Sequence, residues 1–161
     1  STDSAFLAAS YGLPYAFASH FAPQQLSRAF EIYKQKFQPS KFLNEPYTMA
    51  CVNVIIADTN EKAKFLSSSF YRMFLGVIRN QREKIQPPNE EFFKQMSLEE
   101  YTYLQQMLAC TFIGDKKTVT DQLKQFLIKN PVNELILNCP IYDQEERRFT
   151  MEVFAEIVKQ F

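Results

Sequence analysis

Four residues at the start of the chain, Ser1-Thr2-Asp3-Ser4, carry the groups best suited to hold an anion. They open a stretch, Ala5-Phe6-Leu7-Ala8-Ala9, that reads as the body of a short helix from Ser4 to Tyr11, stopped by Gly12 and Pro14. The first turn of a helix exposes unpaired N–H groups and the positive end of the helix dipole, and hydroxyls beside it suit a phosphate. A second reading of the same residues is that Asp3 or Ser4 simply caps the helix. Asp3 repels an anion, so beside a phosphate it has to point away or serve as the cap. His20, the single histidine, falls at a strand end, where an imidazole can act as a general base; with no obvious carboxylate partner, a structural role is the alternative. Arg79 and Arg82 would meet either an anionic ligand or only water. Glu90-Glu91 and Glu99-Glu100 read as solvated helix charge rather than an acid/base pair. No metal-ligand spacing occurs, and three glycines cannot build a dinucleotide fingerprint.

The elements that must position these groups alternate strand with helix. Tyr15 to Ala18 is a short apolar strand of the kind covered on both faces. Ala22-Pro23 opens a helix with Leu26, Phe30, Tyr33 and Phe37 on one face. Tyr47 to Ala57 is the strongest strand, nearly all apolar and rich in β-branched residues. Asp58-Thr59-Asn60 caps a long helix with Ala63, Leu66, Phe70, Phe74, Val77 and Ile78 inward. The segment from Asn80 to Gln95 breaks the pattern and reads as a functional or mobile loop, with a solvated surface loop as the alternative. Ser97-Leu98-Glu99-Glu100 resembles a capping box opening a helix to about Ala109. Cys110 to Ile113 is a fourth strand candidate. A helix spans Lys116 to Lys129, a strand Glu134 to Cys139, and a last helix Gln144 to Phe161. This is an α/β chain with parallel strands, in one domain over residues 1–161 with a loop insertion at about 79–97.

Composition narrows the class. The chain has 161 residues, 46% of them hydrophobic, with sixteen phenylalanines, enough for one good core. Lys plus Arg equals Asp plus Glu, so there is no basic field for a nucleic-acid backbone. The apolar runs are far short of the ~20 residues of a membrane span. Three cysteines with no Cys-x-x-Cys pair read as buried free thiols in a reducing cytoplasm.

The opening motif, Ser1-Thr2-Asp3-Ser4-Ala5-x-Leu7-Ala8-Ala9 followed by Gly12-Leu13-Pro14-Tyr15-Ala16-Phe17-Ala18-Ser19-His20-Phe21, resembles the luciferase-like flavin monooxygenases, and most closely the single-chain bacterial oxidoreductases among them. Phe37-x-Pro39-Ser40, Glu45-Pro46-Tyr47, Cys51 through Thr59, Met107-Leu108-Ala109 with Ile113-Gly114, and Ile141-Tyr142-Asp143 with Arg147 and Arg148 continue the resemblance in order. It implies the C-terminal part of a (β/α)8 TIM barrel, with the active face at the carboxyl ends of the strands. It implies that Ser1 and Ser4, with the backbone of Thr2, hold the phosphate of flavin mononucleotide (FMN). The FMN would be supplied reduced by a separate reductase and would react with oxygen on a small organic substrate; the superfamily also includes deazaflavin enzymes. The segment 80–95 matches the family's mobile active-site loop. The family's better-known catalytic residues come largely from the N-terminal half, which leaves His20 as the sole catalytic candidate here.

Three clear strands and a fourth candidate cannot make eight, and such barrels take about 250 residues. The expectation is a piece of a longer enzyme, inactive alone, whose open edges drive self-association, for example as paired half-barrels. The rivals are a non-catalytic flavin-binding protein and a small, complete α/β interaction domain without flavin.

Overall fold

The strand Thr48–Ile56 (β2) organises the sheet, because every other strand pairs with it. A computed structural model describes residues 1–161. Tyr15–Phe17 (β1), Thr111–Gly114 (β3) and Glu134–Asn138 (β4) all run parallel to β2. Alternate residues of a strand bond to alternate edges. Tyr47, Cys51, Asn53 and Ala57 of β2 and its flanks bond to Tyr15, His20, Cys110 and Gly114, so β1 and β3 share one edge, with β3 nearer the carboxyl end. The Thr48 carbonyl accepts from Asn133 on the opposite edge, which belongs to β4. The short run at 110–113 is therefore a true strand, one that takes over the edge where β1 leaves it.

Six helices flank this sheet: Thr2–Ser10 (α1), Leu26–Lys36 (α2), Asn60–Ile78 (α3), Leu98–Met107 (α4), Lys116–Lys129 (α5) and Gln144–Val158 (α6). Single turns of 3-10 helix at Pro23–Gln25 and Phe92–Gln95 precede α2 and α4. The helix caps are polar side chains at Thr59, Ser97, Asp115 and Asp143, and Ser97 with Glu100 forms a reciprocal capping box. The last helix stops at Val158, short of the expected Phe161. Val77, expected inward, is 40% exposed. The packed stripe of α3 runs from Phe74 to Ile78, four residues on, and leaves Val77 at its side.

The two faces of β2 are built differently. Ala50, Val52, Val54 and Ile56 point outward into a core shared with α1, α2, α5 and α6. Tyr15, Phe17, Phe30 and Tyr33 form its aromatic layer, with Tyr15 stacked on Tyr33 at 5.3 Å between ring centroids. Ile55 and Ala57 point the other way, into a second cluster with α3 and α4. Below them on this inward face, Met49 and Cys51 are half-buried, Ala16 and Ala18 are exposed, and Ile136 is 36% exposed.

Gly12 is the joint between α1 and β1. Its φ is +59°, and a Cβ there would lie 2.4 Å from the Gln38 carbonyl oxygen. Ser40 Oγ donates to the Gly12 carbonyl at 2.9 Å, which ties the segment Phe37-x-Pro39-Ser40 to Gly12-Leu13-Pro14. No helix is long and apolar enough to cross a membrane.

Candidate functional site

Because the strands are parallel, their carboxyl ends meet at one rim: Ala18-Ser19-His20 after β1, Ala57-Asp58-Thr59 after β2, Asp115 after β3 and Cys139-Pro140-Ile141 after β4. Helix α1 packs Ala5 and Ala9 on the outward core and hands the chain through Gly12 to the start of β1. Its first turn accordingly returns toward the same rim.

That first turn begins at Thr2 and is capped by Ser1, which corrects the expectation that Asp3 or Ser4 is the cap. Ser1 Oγ accepts from the Ser4 N–H at 3.3 Å, and Ser4 Oγ accepts from the Ser1 backbone nitrogen at 3.1 Å and donates to the Ser1 carbonyl at 2.8 Å. The two hydroxyls expected to hold a phosphate thus form a capping box with each other. The amides of Thr2 and Asp3 have no intrahelical acceptor at these positions. Both serines are exposed, Thr2 is half-buried, and the exposed Asp3 takes no part in the cap. Tyr15 supports the turn from beneath: its hydroxyl donates to the Ser1 carbonyl at 2.9 Å and lies 3.4 Å from Ser4 Oγ. Burial pushes the Tyr15 pKa up, so the phenol stays a donor. An oxyanion at this turn would meet the amides of Thr2 and Asp3, and the Ser4 hydroxyl would reach it by turning its proton away from the Ser1 carbonyl. With that turn the donor set fits a phosphate.

His20 sits where β1 leaves the sheet. Its N–H donates to the Cys51 carbonyl and its own carbonyl accepts from Asn53 Nδ2 at 3.0 Å. The ring is half-buried, and its Nδ1 is buried with no partner. Desolvation pushes its pKa below the usual imidazole range, so the ring is neutral at pH 7. Asn53, fully buried in the middle of β2, also donates to Thr111 Oγ1 at 3.1 Å and accepts from Asn138 Nδ2 at 2.6 Å. Sequence reading passes over both asparagines, because an Asn inside an apolar run reads as part of the strand. The one signal available was that a buried amide in a strand centre needs partners.

Arg79 is engaged within the fold. It makes a two-pronged pair with Glu100, at 2.7 and 2.9 Å, which takes it out of the set of free anion contacts. The pair joins the end of α3 to the start of α4 and pins the segment between them. Within that segment Asn89 donates to Ser68 Oγ, while Phe93 packs edge-on against Tyr71 at 5.4 Å. A cleft of about 660 Å³ opens beside it between α3, α4 and β3, walled by Tyr71, Phe93, Tyr101, Gln105, Thr111 and Ile113. Cys51, Cys110 and Cys139 are free thiols. Burial pushes Cys110 and Cys139 up to about 11. No group of three His, Cys, Asp or Glu side chains is placed to hold a metal ion.

Known proteins resemble this arrangement. No family model matches the chain. A protein of Escherichia coli (strain K12) named luciferase-like monooxygenase is 36% identical over 157 residues, covering 98% of this chain and 47% of that protein. An uncharacterized protein of Bacillus subtilis is 37% identical over 160 residues, 99% of this chain and 47% of its own length. The chain spans about half the length of the curated relatives it matches. Among solved structures, apo-MsnO8 superposes with a TM-score of 0.78 at 22% identity, over 99% of this chain and 48% of that one. The oxygenating constituent of 3,6-diketocamphane monooxygenase from Pseudomonas putida, solved with FMN, gives a TM-score of 0.60 at 16% identity, over 96% of this chain and 44% of that one. The four parallel strands are thus part of a barrel wall of this kind.

Proposed function

We propose that this chain, a relative of the luciferase-like monooxygenases along nearly its whole length, is the phosphate-holding wall of a flavin-dependent monooxygenase. The observation that supports the proposal is the first turn of α1, where two exposed hydroxyls and two amides without intrahelical acceptors lie together at the end of the helix that α/β order turns toward the carboxyl ends of the strands. Ser1 and Ser4 would hold the phosphate with their hydroxyls, and Thr2 with its backbone N–H, while Tyr15 keeps the turn in place. FMN is the proposed ligand in preference to a deazaflavin, because a solved neighbour of the same fold holds FMN. Bound reduced flavin supplies the reaction with oxygen, and a separate reductase in the cytoplasm would keep it reduced. The protein's own part is to bind, orient and exclude water. His20 is the candidate for proton transfer at the rim, a neutral imidazole able to act as a base. The segment 79–97, pinned by Arg79 and Glu100, would form a cover over the mouth. In this reading the inward sheet face closes against further strands, from a longer form of the protein or a second copy, and the organic substrate binds in the space enclosed. Residues 1–161 alone would leave that space open and turn over nothing.

The test is a pair of binding titrations, read by quenching of flavin fluorescence, on the protein as its gene encodes it. FMN should bind at least about tenfold more tightly than riboflavin, which lacks the phosphate. Equal affinity for the two would remove the phosphate site from the account.

A further inference from the structure

The inward face of the sheet carries one row of amides; Glu134, the register partner of Met49, stands at its amino end, and the residues between and above are apolar or small. Asn53 and Asn138 are register partners on β2 and β4, and Thr111 is the partner of Asn53 on β3. Partners in register point to the same face, so the three side chains form a row across the sheet. The layer below it is Cys51 and Ile136, and above it stand Ile55 and Ile113. Burying a carboxamide at a strand centre costs free energy that an apolar residue would not. Such a row has to be accounted for by something other than stability.

The orientation of each amide follows from one backbone group. The His20 carbonyl can only accept, so Asn53 must turn its NH2 toward it, at 3.0 Å. That leaves the Asn53 carbonyl facing β4, where Asn138 must present its own NH2, at 2.6 Å. Asn53 has then used both donors, on His20 and Thr111, and one lone pair of its carbonyl on Asn138. Asn138 keeps more of its capacity free. One N–H remains, and its Oδ1 accepts nothing within the chain and stays open to solvent. Those two groups sit side by side on one planar amide and present a donor next to an acceptor.

We propose that Asn138 contacts the flavin ring, pairing with its pyrimidine edge, and that Asn53 is the positioning residue that sets its orientation. The inference rests on the flavin reading above. An isoalloxazine is apolar over most of its area, but its pyrimidine edge carries an N–H between two carbonyls. A carboxamide matches one such C=O and N–H couple with two parallel hydrogen bonds. The apolar layers on either side of the row suit the rest of the ring, and the Thr111 hydroxyl, which accepts from Asn53, keeps its own proton for a carbonyl.

The experiment uses lumiflavin, which has the ring without the ribityl phosphate, and its N3-methyl derivative, titrated against the protein as its gene encodes it. In the wild type, N3-methylation should weaken binding about tenfold, because it removes the N–H and crowds Asn138. In Asn138→Leu the parent ring should bind about as weakly as the methylated one, so that the methyl penalty disappears. The first arm needs no variant and stands even if Asn138→Leu folds poorly. An equal affinity of the wild type for the two rings, or a methyl penalty unchanged in Asn138→Leu, would overturn the inference while leaving phosphate-dependent FMN binding intact. Failure of FMN and lumiflavin alike to bind the wild type would overturn the flavin reading, and this inference with it.

Discussion

The outward and inward faces of β2 use the same backbone for different ends. Outward, Ala50, Val52, Val54 and Ile56 are completely buried and apolar, held between the sheet and four helices. Inward, the same strand presents Met49, Cys51, Asn53, Ile55 and Ala57: two half-buried side chains, one amide, and two apolar residues covered by α3 and α4. The outward face repays every methyl group it buries, at about 25 cal/mol per Å² of apolar surface. The inward face forgoes part of that gain and keeps hydrogen-bonding groups instead. Tight apolar packing and hydrogen-bonding capacity are therefore separable on a single strand, by parity of residue number.

The sharpest way to break the comparison is to make one substitution on both faces. Ile56→Ala, on the outward face, should cost about 2–5 kcal/mol in urea unfolding. Ile136→Ala, inward and partly exposed, should cost less than about 1 kcal/mol. Similar losses at both positions would mean that the inward face is as tightly packed as the outward one.

A second test falls at the edge of β2 beyond the end of β4. Thr150 of α6 fills the place of a missing strand: its hydroxyl donates to the Ile56 carbonyl at 2.8 Å and accepts from the Ile56 N–H at 3.0 Å. Thr150→Val keeps the shape and abandons both groups, so a loss of about 1–3 kcal/mol is expected in the same unfolding assay. A neutral result would show that water reaches this edge.

The thiols give a smaller, pH-dependent contrast. Cys110 and Cys139 are raised to about 11 by burial, whereas unfolding returns them to about 8.5–9. The unfolded chain then loses these protons first, so stability is full below pH ~8.5 and declines as pH rises toward about 11. Replacing both cysteines with alanine should flatten the decline measured by thermal melts across that range. An unchanged slope would place its cause elsewhere.

Much of the fold could be read along the chain. The strand 47–57 and the helix 116–129 announce themselves through β-branched runs, period and polar caps, all of which are local. What stayed hidden was relational. The run at 110–113 shows its extended character, but nothing in four residues says that it follows β1 along the same edge. Asp3 and Ser4 each read as a plausible cap, and only the bonding between Ser4 and Ser1 shows that Ser1 is the cap. The Arg79–Glu100 pair joins residues twenty-one apart, and Asn53 meets Asn138 across eighty-five, so no local pattern could reveal either. The hydroxyl-bearing turn was legible as a motif, whereas the amide row required the register.

The measurement that bears most directly on the account is the FMN affinity of Ser1→Asp, set beside its riboflavin affinity. Aspartate caps a helix as well as serine does, so the fold and the support from Tyr15 should persist, and riboflavin binding should hold. The added carboxylate would face the phosphate, and FMN binding should fall by about tenfold or more. If FMN binds Ser1→Asp as tightly as it binds the wild type, the first turn of α1 is a helix cap alone and the phosphate lies elsewhere.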